Sequence, residues 1–138
     1  MKLEGASIAM LNLKDDVLLF LRDNIPQIKF PNMWDLPGGI VEPGETPDQT
    51  IRREMLEEIE LKLKNPILFK RYVLPDRIEN MFWQRVDIDI NKTVLHEGQE
   101  LKWFSERQLK AMDKDSLAFG FQTLLMDFFK TRPFASRD

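Results

Sequence analysis

Apolar runs broken by turn residues shape the first forty positions of the chain. Gly5 to Asn12 is apolar and compatible with a strand, and Lys14 to Asp16 has the composition of a turn. Val17 to Leu21 is a continuous apolar run, which is typical of a strand buried on both faces. These segments together predict a β-hairpin. Asp23 to Trp34 has prolines and no clean period, which predicts a loop, and Leu36 to Val41 is a short extended segment with paired glycines.

A helix is predicted to begin just after this extended segment. Thr46 has a side chain suited to capping a helix, and Pro47 is suited to the first helical position. Ile51, Met55 and Ile59 recur every four residues, so they form one apolar face that we expect to pack against the core. The helix is predicted to run to about residue 59.

The second half of the chain is predicted to continue with strands and to end with helices. The predicted strands are Ile67 to Leu74, Ile78 to Ile90 and Leu101 to Phe104; a loop spans Lys92 to Gln99; and the helices are Ser105 to Met112 and Ser116 to Lys130.

Composition narrows the class of protein. A length of 138 residues with 43% hydrophobic content suits one globular domain, residues 1–138, with one core. A net charge of -3 without a basic stripe argues against an extended nucleic-acid-binding surface. Disulfides and thiolate zinc sites are excluded because the chain has no cysteine. A multi-histidine metal site is excluded because His96 is its one histidine. Because no signal peptide or membrane-length apolar run is evident, we expect a soluble cytoplasmic protein with no membrane partner; its oligomeric state stays open.

Three carboxylates are predicted to share one face of the helix. Glu54, Glu57 and Glu58 stand at positions i, i+3 and i+4, which point the same way on a helix. Glu-rich helix faces are usually solvated, but three like charges this close repel one another unless a cation compensates them. A divalent metal that bridges to a phosphate chain would supply that compensation.

The surrounding residues resemble a known motif. The segment reads Gly39-x5-Glu45-x7-Arg53-Glu54-Met55-x-Glu57-Glu58-x-Glu60-Leu61. It resembles the Nudix box, Gly-x5-Glu-x7-Arg-Glu-U-x-Glu-Glu-x-Gly-U, where U is a bulky aliphatic residue, and it meets eight of the nine defined positions between residues 39 and 61. The order of predicted elements is also similar to that of the Nudix fold, an α/β/α sandwich with a central mixed β-sheet.

This resemblance implies a metal-dependent hydrolase of phosphoric anhydrides. Glu54, Glu57 and Glu58 would bind Mg²⁺, with Mn²⁺ as the alternative ion, and the backbone carbonyl of Gly38 would be a further ligand. Glu54 is also a candidate for positioning or deprotonating the attacking water. Such an ion neutralises phosphate charge and lowers the pKa of bound water.

Two further residues of the motif have structural roles by the same resemblance. Arg53 and Glu45 would form a brace that ties the loop to the helix. Glu60 is the departure, since the box has glycine there. Glycine would end the helix in a left-handed turn. Either Glu60 adopts that conformation at a cost of about 1 kcal/mol, or the helix runs one residue further.

A second layer of similarity points to the MutT-like branch, which hydrolyses nucleoside triphosphates to monophosphates. It rests on the segments Pro75 to Arg77 and Glu97 to Gln99, with Trp103 four residues after the second segment. By this resemblance Glu97 supplies a metal-binding carboxylate from a loop outside the helix. Glu100, nearby in the sequence, is the competing candidate.

The same branch suggests a substrate-binding set. These residues fall where MutT-like proteins contact nucleotide or could wall a base pocket: Arg22, Leu36, Asp76, Arg77 and Phe119, with Trp34 as a further candidate. The base-reading asparagine of that branch has no clear counterpart, although Asp115 and Ser116 stand near its place.

The predicted function is cleavage of a nucleoside triphosphate, potentially an oxidised one such as 8-oxo-dGTP, to a monophosphate and pyrophosphate. Other small nucleotide substrates stay open: ADP-ribose, dinucleoside polyphosphates and RNA 5′ ends. A non-catalytic Nudix-fold regulator is the alternative from a different class, and we expect such a protein to have lost box carboxylates, which this chain keeps.

Overall fold

The computed structural model describes residues 2–135. Seven strands and three α-helices form within this part of the chain. The strands are β1 (Leu3–Leu11), β2 (Val17–Leu21), β3 (Trp34–Asp35), β4 (Gly38–Ile40), β5 (Ile67–Val73), β6 (Arg77–Arg85) and β7 (Glu100–Phe104). The helices are α1 (Pro47–Ile59), α2 (Glu106–Ala111) and α3 (Phe121–Thr131).

The strands form one mixed sheet in the order β3-β2-β1-β6-β5, with β4 pairing to β1 and β7 to β2. β1 and β6 run parallel, from Leu3 opposite Arg77 to Leu11 opposite Arg85, and the other pairs are antiparallel. The predicted hairpin is confirmed, because β1 and β2 pair across a turn in which Asp15 has a φ of 63°. β1 is therefore the strand through which most of the sheet is connected.

Helices cover both faces of the sheet. On one face Ile51, Met55 and Ile59 of α1 pack against Ile8 and other buried residues of β1, β2 and β6. On the other face the second apolar cluster joins the sheet to α2 and α3 through residues that include Leu109, Leu125 and Phe128. This arrangement confirms the predicted α/β/α sandwich. None of the helices described is both long enough and apolar enough to cross a membrane.

Three predicted boundaries are wrong. The strand predicted for Ile78 to Ile90 ends at Arg85, because Arg85 pairs with the last residue of β1 and no partner strand extends beyond it. The helix predicted for Ser116 to Lys130 begins only at Phe121, because Phe119 and Gly120 have positive φ angles of 57° and 70°. Short 3₁₀ turns precede it. The predicted loop Asp23 to Trp34 ends in a two-residue strand, β3, that pairs with β2.

Candidate active site

Local sequence fixes where α1 begins. The Thr46 hydroxyl accepts a hydrogen bond from the Gln49 backbone N–H, and the Gln49 side chain accepts one from the Thr46 backbone N–H. This reciprocal pair satisfies two of the unpaired donors at the helix start, and Pro47 occupies the first helical turn. The start and the apolar face of α1 are thus both as predicted, so the register of its glutamates is set.

Two glycines let β4 approach its neighbours β1 and α1 closely. A Cβ atom on Gly38 would lie 2.1 Å from the carbonyl oxygen of Ala6 on β1, which leaves no room for a side chain. A Cβ atom on Gly39 would lie 2.3 Å from the carboxyl carbon of Glu54. Gly38 therefore lets β4 pair closely with β1, and Gly39 brings the backbone of β4 directly against the first carboxylate of α1.

Arg53 joins the loop before α1 to the helix. Its Nε donates to Glu45 Oε2 at 2.7 Å and its Nη2 to Glu45 Oε1 at 3.1 Å, so the pair is bidentate. The Thr50 hydroxyl donates to the same carboxylate at 2.6 Å. Hydrogen bonds from Arg53 and then from Thr50 lower the pKa of Glu45 to about 2. The brace implied by the motif is present, and Glu45 is ionised at any ordinary pH.

Glu54 and Glu58 form a close carboxyl pair on α1. Burial is the main cause that raises the pKa of Glu58 to about 9, followed by a hydrogen bond to Glu54 and by the charges of Glu54 and Glu97. Arg53 Nη1 donates to Glu54 Oε1 at 2.8 Å. The same guanidinium thus contacts Glu54 as well as Glu45, with longer contacts to Glu42 and Glu57. No cation contact of this kind is found for Glu58 among the described residues, so Glu58 lies in a crowded acidic environment that a bound cation would relieve.

Glu57 is far more exposed than Glu54. Its side chain is 61% exposed, and its nearest cation is Arg53 Nη1 at 3.4 Å. Within residues 2–135 no three acidic or histidine side chains already converge on a common point that could hold a metal ion. The donor chemistry nevertheless fits a hard divalent cation, since these groups offer oxygen ligands and uncompensated negative charge.

The loop from residue 92 to residue 99 lies against the end of α1. The backbone N–H of His96 donates to the carbonyl of Glu58 at 2.8 Å, which brings the neighbouring Glu97 to the carboxyl pair. Glu100, the competing candidate, begins β7 and pairs with Leu21 of β2. Of the two loop glutamates, Glu97 is the one whose charge acts on Glu58.

A second polar cluster surrounds Phe119. Arg22 donates to Asp35 at 2.9 Å, and Arg77 donates to Glu79 at 2.7 Å. Phe119 lies between the two arginines, with ring centroid distances of 5.2 Å and 5.6 Å to the guanidinium carbons of Arg22 and Arg77. Three predicted contact residues therefore meet here.

The other predicted contact residues behave differently. Leu36 is buried in the apolar cluster beside α3, and Asp76 has a side chain that is 68% exposed at the rim. Trp34 packs edge-on against Phe104 at 4.9 Å, so it is partly a core residue. A shallow pocket opens beside Phe119 and has Phe30, among others, in its lining.

Sequence reasoning missed Asp35 and Glu79. Asp35 is 4% exposed and its Oδ1 has no hydrogen-bond partner among the described residues. Burial raises the pKa of Asp35 to about 7 against the opposing effect of Arg22. Burial also raises the pKa of Glu79, opposed by Arg77. For Asp35 the available signal was an acid between the apolar residues Trp34 and Leu36, which a buried strand does not tolerate without a reason. Glu79 stands between Ile78 and Asn80 and gave no comparable signal.

Comparison with known proteins agrees with this geometry. The family model described as NUDIX domain matches residues 1–122. An 8-oxo-dGTP diphosphatase from Haemophilus influenzae is 33% identical over 95 residues, which cover 67% of this chain and 70% of the relative. An RNA pyrophosphohydrolase from Proteus mirabilis is 34% identical over 88 residues, which cover 59% of this chain and 44% of the relative.

A crystal structure of a MutT protein from Methanosarcina mazei Go1 shares the fold, with a TM-score of 0.77 and 23% identity over 96% of both chains. The family match covers every element up to the first turn of α3, including the glycine pair, the brace and the carboxylates of α1. On the strength of this match and of the motif geometry, the chain belongs to the NUDIX family.

Proposed function

We propose that this protein hydrolyses a nucleoside triphosphate to a nucleoside monophosphate and pyrophosphate with a divalent metal, Mg²⁺ in the first instance. The observation that carries the proposal is the carboxyl pair Glu54 and Glu58, held beside Gly38 and Gly39 by the Arg53 brace. Holding like charges together at a partly buried site raises the electrostatic free energy, and a bound cation with its phosphate ligand lowers it again.

Glu54, Glu58 and Glu97 are the proposed ligands, with Glu57 and the backbone carbonyl of Gly38 completing the set. When bound, a divalent metal neutralises the phosphate chain and makes the attacking water more acidic. Glu54 then orients that water, because its carboxylate is fixed between Gly39 and Arg53. Arg53 itself stays engaged with Glu45 and acts on the chemistry only through the carboxylates that it holds.

The nucleoside is proposed to bind at the cluster of Arg22, Asp35, Arg77, Glu79 and Phe119. An aromatic ring with guanidinium groups nearby gives a base or a phosphate a surface on which to stack or pair. Asp35 adds a buried carboxyl with a free oxygen, which suits recognition of a polar edge of a base.

The relatives narrow the first substrates to test. Because the Haemophilus influenzae relative is named an 8-oxo-dGTP diphosphatase, 8-oxo-dGTP and dGTP are the leading pair. The Proteus mirabilis relative is named an RNA pyrophosphohydrolase, which makes a triphosphorylated RNA 5′ end the second candidate. The chain spans less than half of that second relative, so this alternative has weaker support.

A substrate panel tests the proposal. It compares dNTPs, NTPs, 8-oxo-dGTP, ADP-ribose, dinucleoside polyphosphates and 5′-triphosphorylated RNA, each with Mg²⁺ and each with excess EDTA. We expect the highest kcat/KM for a nucleoside triphosphate and no turnover in EDTA. Turnover confined to ADP-ribose or a dinucleoside polyphosphate would contradict the substrate class, and no turnover of any compound would favour the non-catalytic alternative.

A further inference from the structure

Helix α1 ends on a residue whose backbone conformation favours glycine. Glu60 has φ 55° and ψ 34°, the left-handed region, and the turn is closed by hydrogen bonds from its N–H to Leu56 and from the Leu61 N–H to Met55. Of the two outcomes left open by the sequence, Glu60 therefore adopts the left-handed conformation. A residue with a Cβ takes this conformation at an energetic cost, whereas glycine takes it freely.

The Glu60 side chain makes a contact that glycine could not make. His96 Nε2 and Glu60 Oε2 lie 2.6 Å apart, a hydrogen bond in which the ring nitrogen donates to the carboxylate. The same histidine donates its backbone N–H to the carbonyl of Glu58 at 2.8 Å. His96 is thus attached to the end of α1 at two points, one through the backbone and one through the side chain.

A second attachment holds the other end of this loop. The backbone N–H of Gln99 donates to the carbonyl of Leu21 at 2.8 Å, and its side chain donates to the carbonyl of Arg22 at 2.7 Å. Glu97 lies between these two attachments, one on α1 and one on the end of β2. The conformation of residues 97 and 98 is therefore set by both attachments together.

We propose that the Glu60–His96 pair is a positioning contact that holds Glu97 against Glu58. This inference rests on the proposed metal-dependent function, because it gives the pair a role in presenting Glu97 as a metal ligand. Glu60 and His96 are positioning residues and not ligands. The side-chain contact explains why a glutamate is compatible with a site where glycine would be free of strain.

Three variants test the contact: Glu60→Gly, His96→Ala and the double variant. Glu60→Gly is the informative one, because glycine keeps the left-handed turn and removes the side chain that carries the carboxylate. The control is Glu106→Gln, which removes the charge of another exposed glutamate, the partner of Arg132 on α2. All proteins are compared metal-free by amide hydrogen exchange at His96 and Glu97, and then by Mn²⁺ titration followed by electron paramagnetic resonance.

We expect Glu60→Gly to melt at the wild-type temperature or above it, while the His96 and Glu97 amides exchange faster and Mn²⁺ binds roughly two- to fivefold more weakly, the range open to an exposed ion pair. His96→Ala should give the same losses, and the double variant should add nothing to them. Unchanged exchange and affinity in both single variants would overturn the proposal, as would losses that add fully in the double variant. A wild-type protein that binds no Mn²⁺ would instead contradict the proposed function.

Discussion

At the scale of single residues, the site is governed by acids that are held where ionisation is unfavourable. Glu58 and Asp35 are both carboxyls whose pKa values are raised chiefly by burial. Glu45 is the opposite case, because Arg53 lowers its pKa to about 2. A cation or a hydrogen-bonding ligand would stabilise the ionised forms of Glu58 and Asp35, whereas the charge of Glu45 is already paired with Arg53.

Replacing Glu58 with glutamine should separate function from stability. The pKa of Glu58 is about 9 in the folded chain against 4.5 as a free side chain, so at pH 8 its ionisation opposes folding. We expect Glu58→Gln to melt at or above the wild-type temperature in metal-free buffer at pH 8 and to lose activity by ~10²-fold or more.

Glu57→Gln is the matched comparison for that variant. We expect a loss of activity without a gain in metal-free stability, because Glu57 is exposed and its one cation lies at 3.4 Å. Calorimetry and steady-state kinetics measure both properties. Near-wild-type turnover in Glu58→Gln, or a lower melting temperature, would remove Glu58 from the metal site.

Asp35 should give stability a distinct pH dependence. Its folded pKa of about 7 lies above the ordinary value of 3.8, so its stabilising contribution is complete below pH 3.8 and is lost as pH rises through about 7. We expect the melting temperature of Asp35→Asn, relative to wild type, to improve by several degrees between pH 5 and pH 8, since asparagine cannot ionise. A difference that is flat over this range would show that Asp35 is ionised throughout.

The sequence was informative about residues whose spacing carries a motif and silent about the others. Glu45, Arg53, Glu54 and Glu58 could be placed in advance, since their roles follow from positions along one helix and its entry loop. Asp35 carried only the signal of its apolar neighbours, and Glu79 could not be placed in advance, because the burial of both residues depends on which strands lie beside them.

At the scale of elements, the contact between β4 and α1 is the critical junction. Position 39 has room only for glycine, because a Cβ atom there would lie 2.3 Å from the carboxyl carbon of Glu54. The obstacle is a side chain and not backbone, so an added methyl group displaces the Glu54 carboxylate more readily than it disrupts the fold.

Gly39→Ala should therefore lower activity with little effect on stability. We expect a drop in kcat of about tenfold or more, because small displacements of a positioned group have large kinetic consequences, and a melting temperature within a few degrees of wild type. Gly44→Ala is the control. A Cβ atom at position 44 would meet nothing within 4 Å, but the backbone there has a φ of +81°, which alanine adopts only with strain. This variant should lose stability and keep activity. The reverse pattern in the two variants would contradict the role assigned to this junction.

Elements were predictable where a local signal defined them. The cap at Thr46 and the four-residue recurrence of Ile51, Met55 and Ile59 located α1, and the turn after residue 12 located the hairpin. The end of β6 was not predictable, because it is set by where β1 stops. The late start of α3 was not predictable either, because Phe119 takes a left-handed conformation that phenylalanine rarely adopts.

At the scale of the whole molecule, the sandwich brings together segments that are distant in the chain. The carboxyl pair on α1, the loop that carries Glu97 and the arginine cluster around Phe119 meet at one end of the sheet. Asp35 lies only three residues before Gly38, which connects the proposed nucleoside side of the site to the proposed phosphate side. A substrate with a base at one end and a phosphate chain at the other matches this arrangement.

The most direct test of the central claim is ³¹P nuclear magnetic resonance of the products formed from a nucleoside triphosphate that the protein hydrolyses. With Mg²⁺ we predict signals of a nucleoside monophosphate and pyrophosphate in equal amounts, and with excess EDTA an unchanged triphosphate. Formation of a nucleoside diphosphate with orthophosphate, or turnover that continues in EDTA, would contradict metal-dependent cleavage between the α- and β-phosphates by the carboxylates of α1.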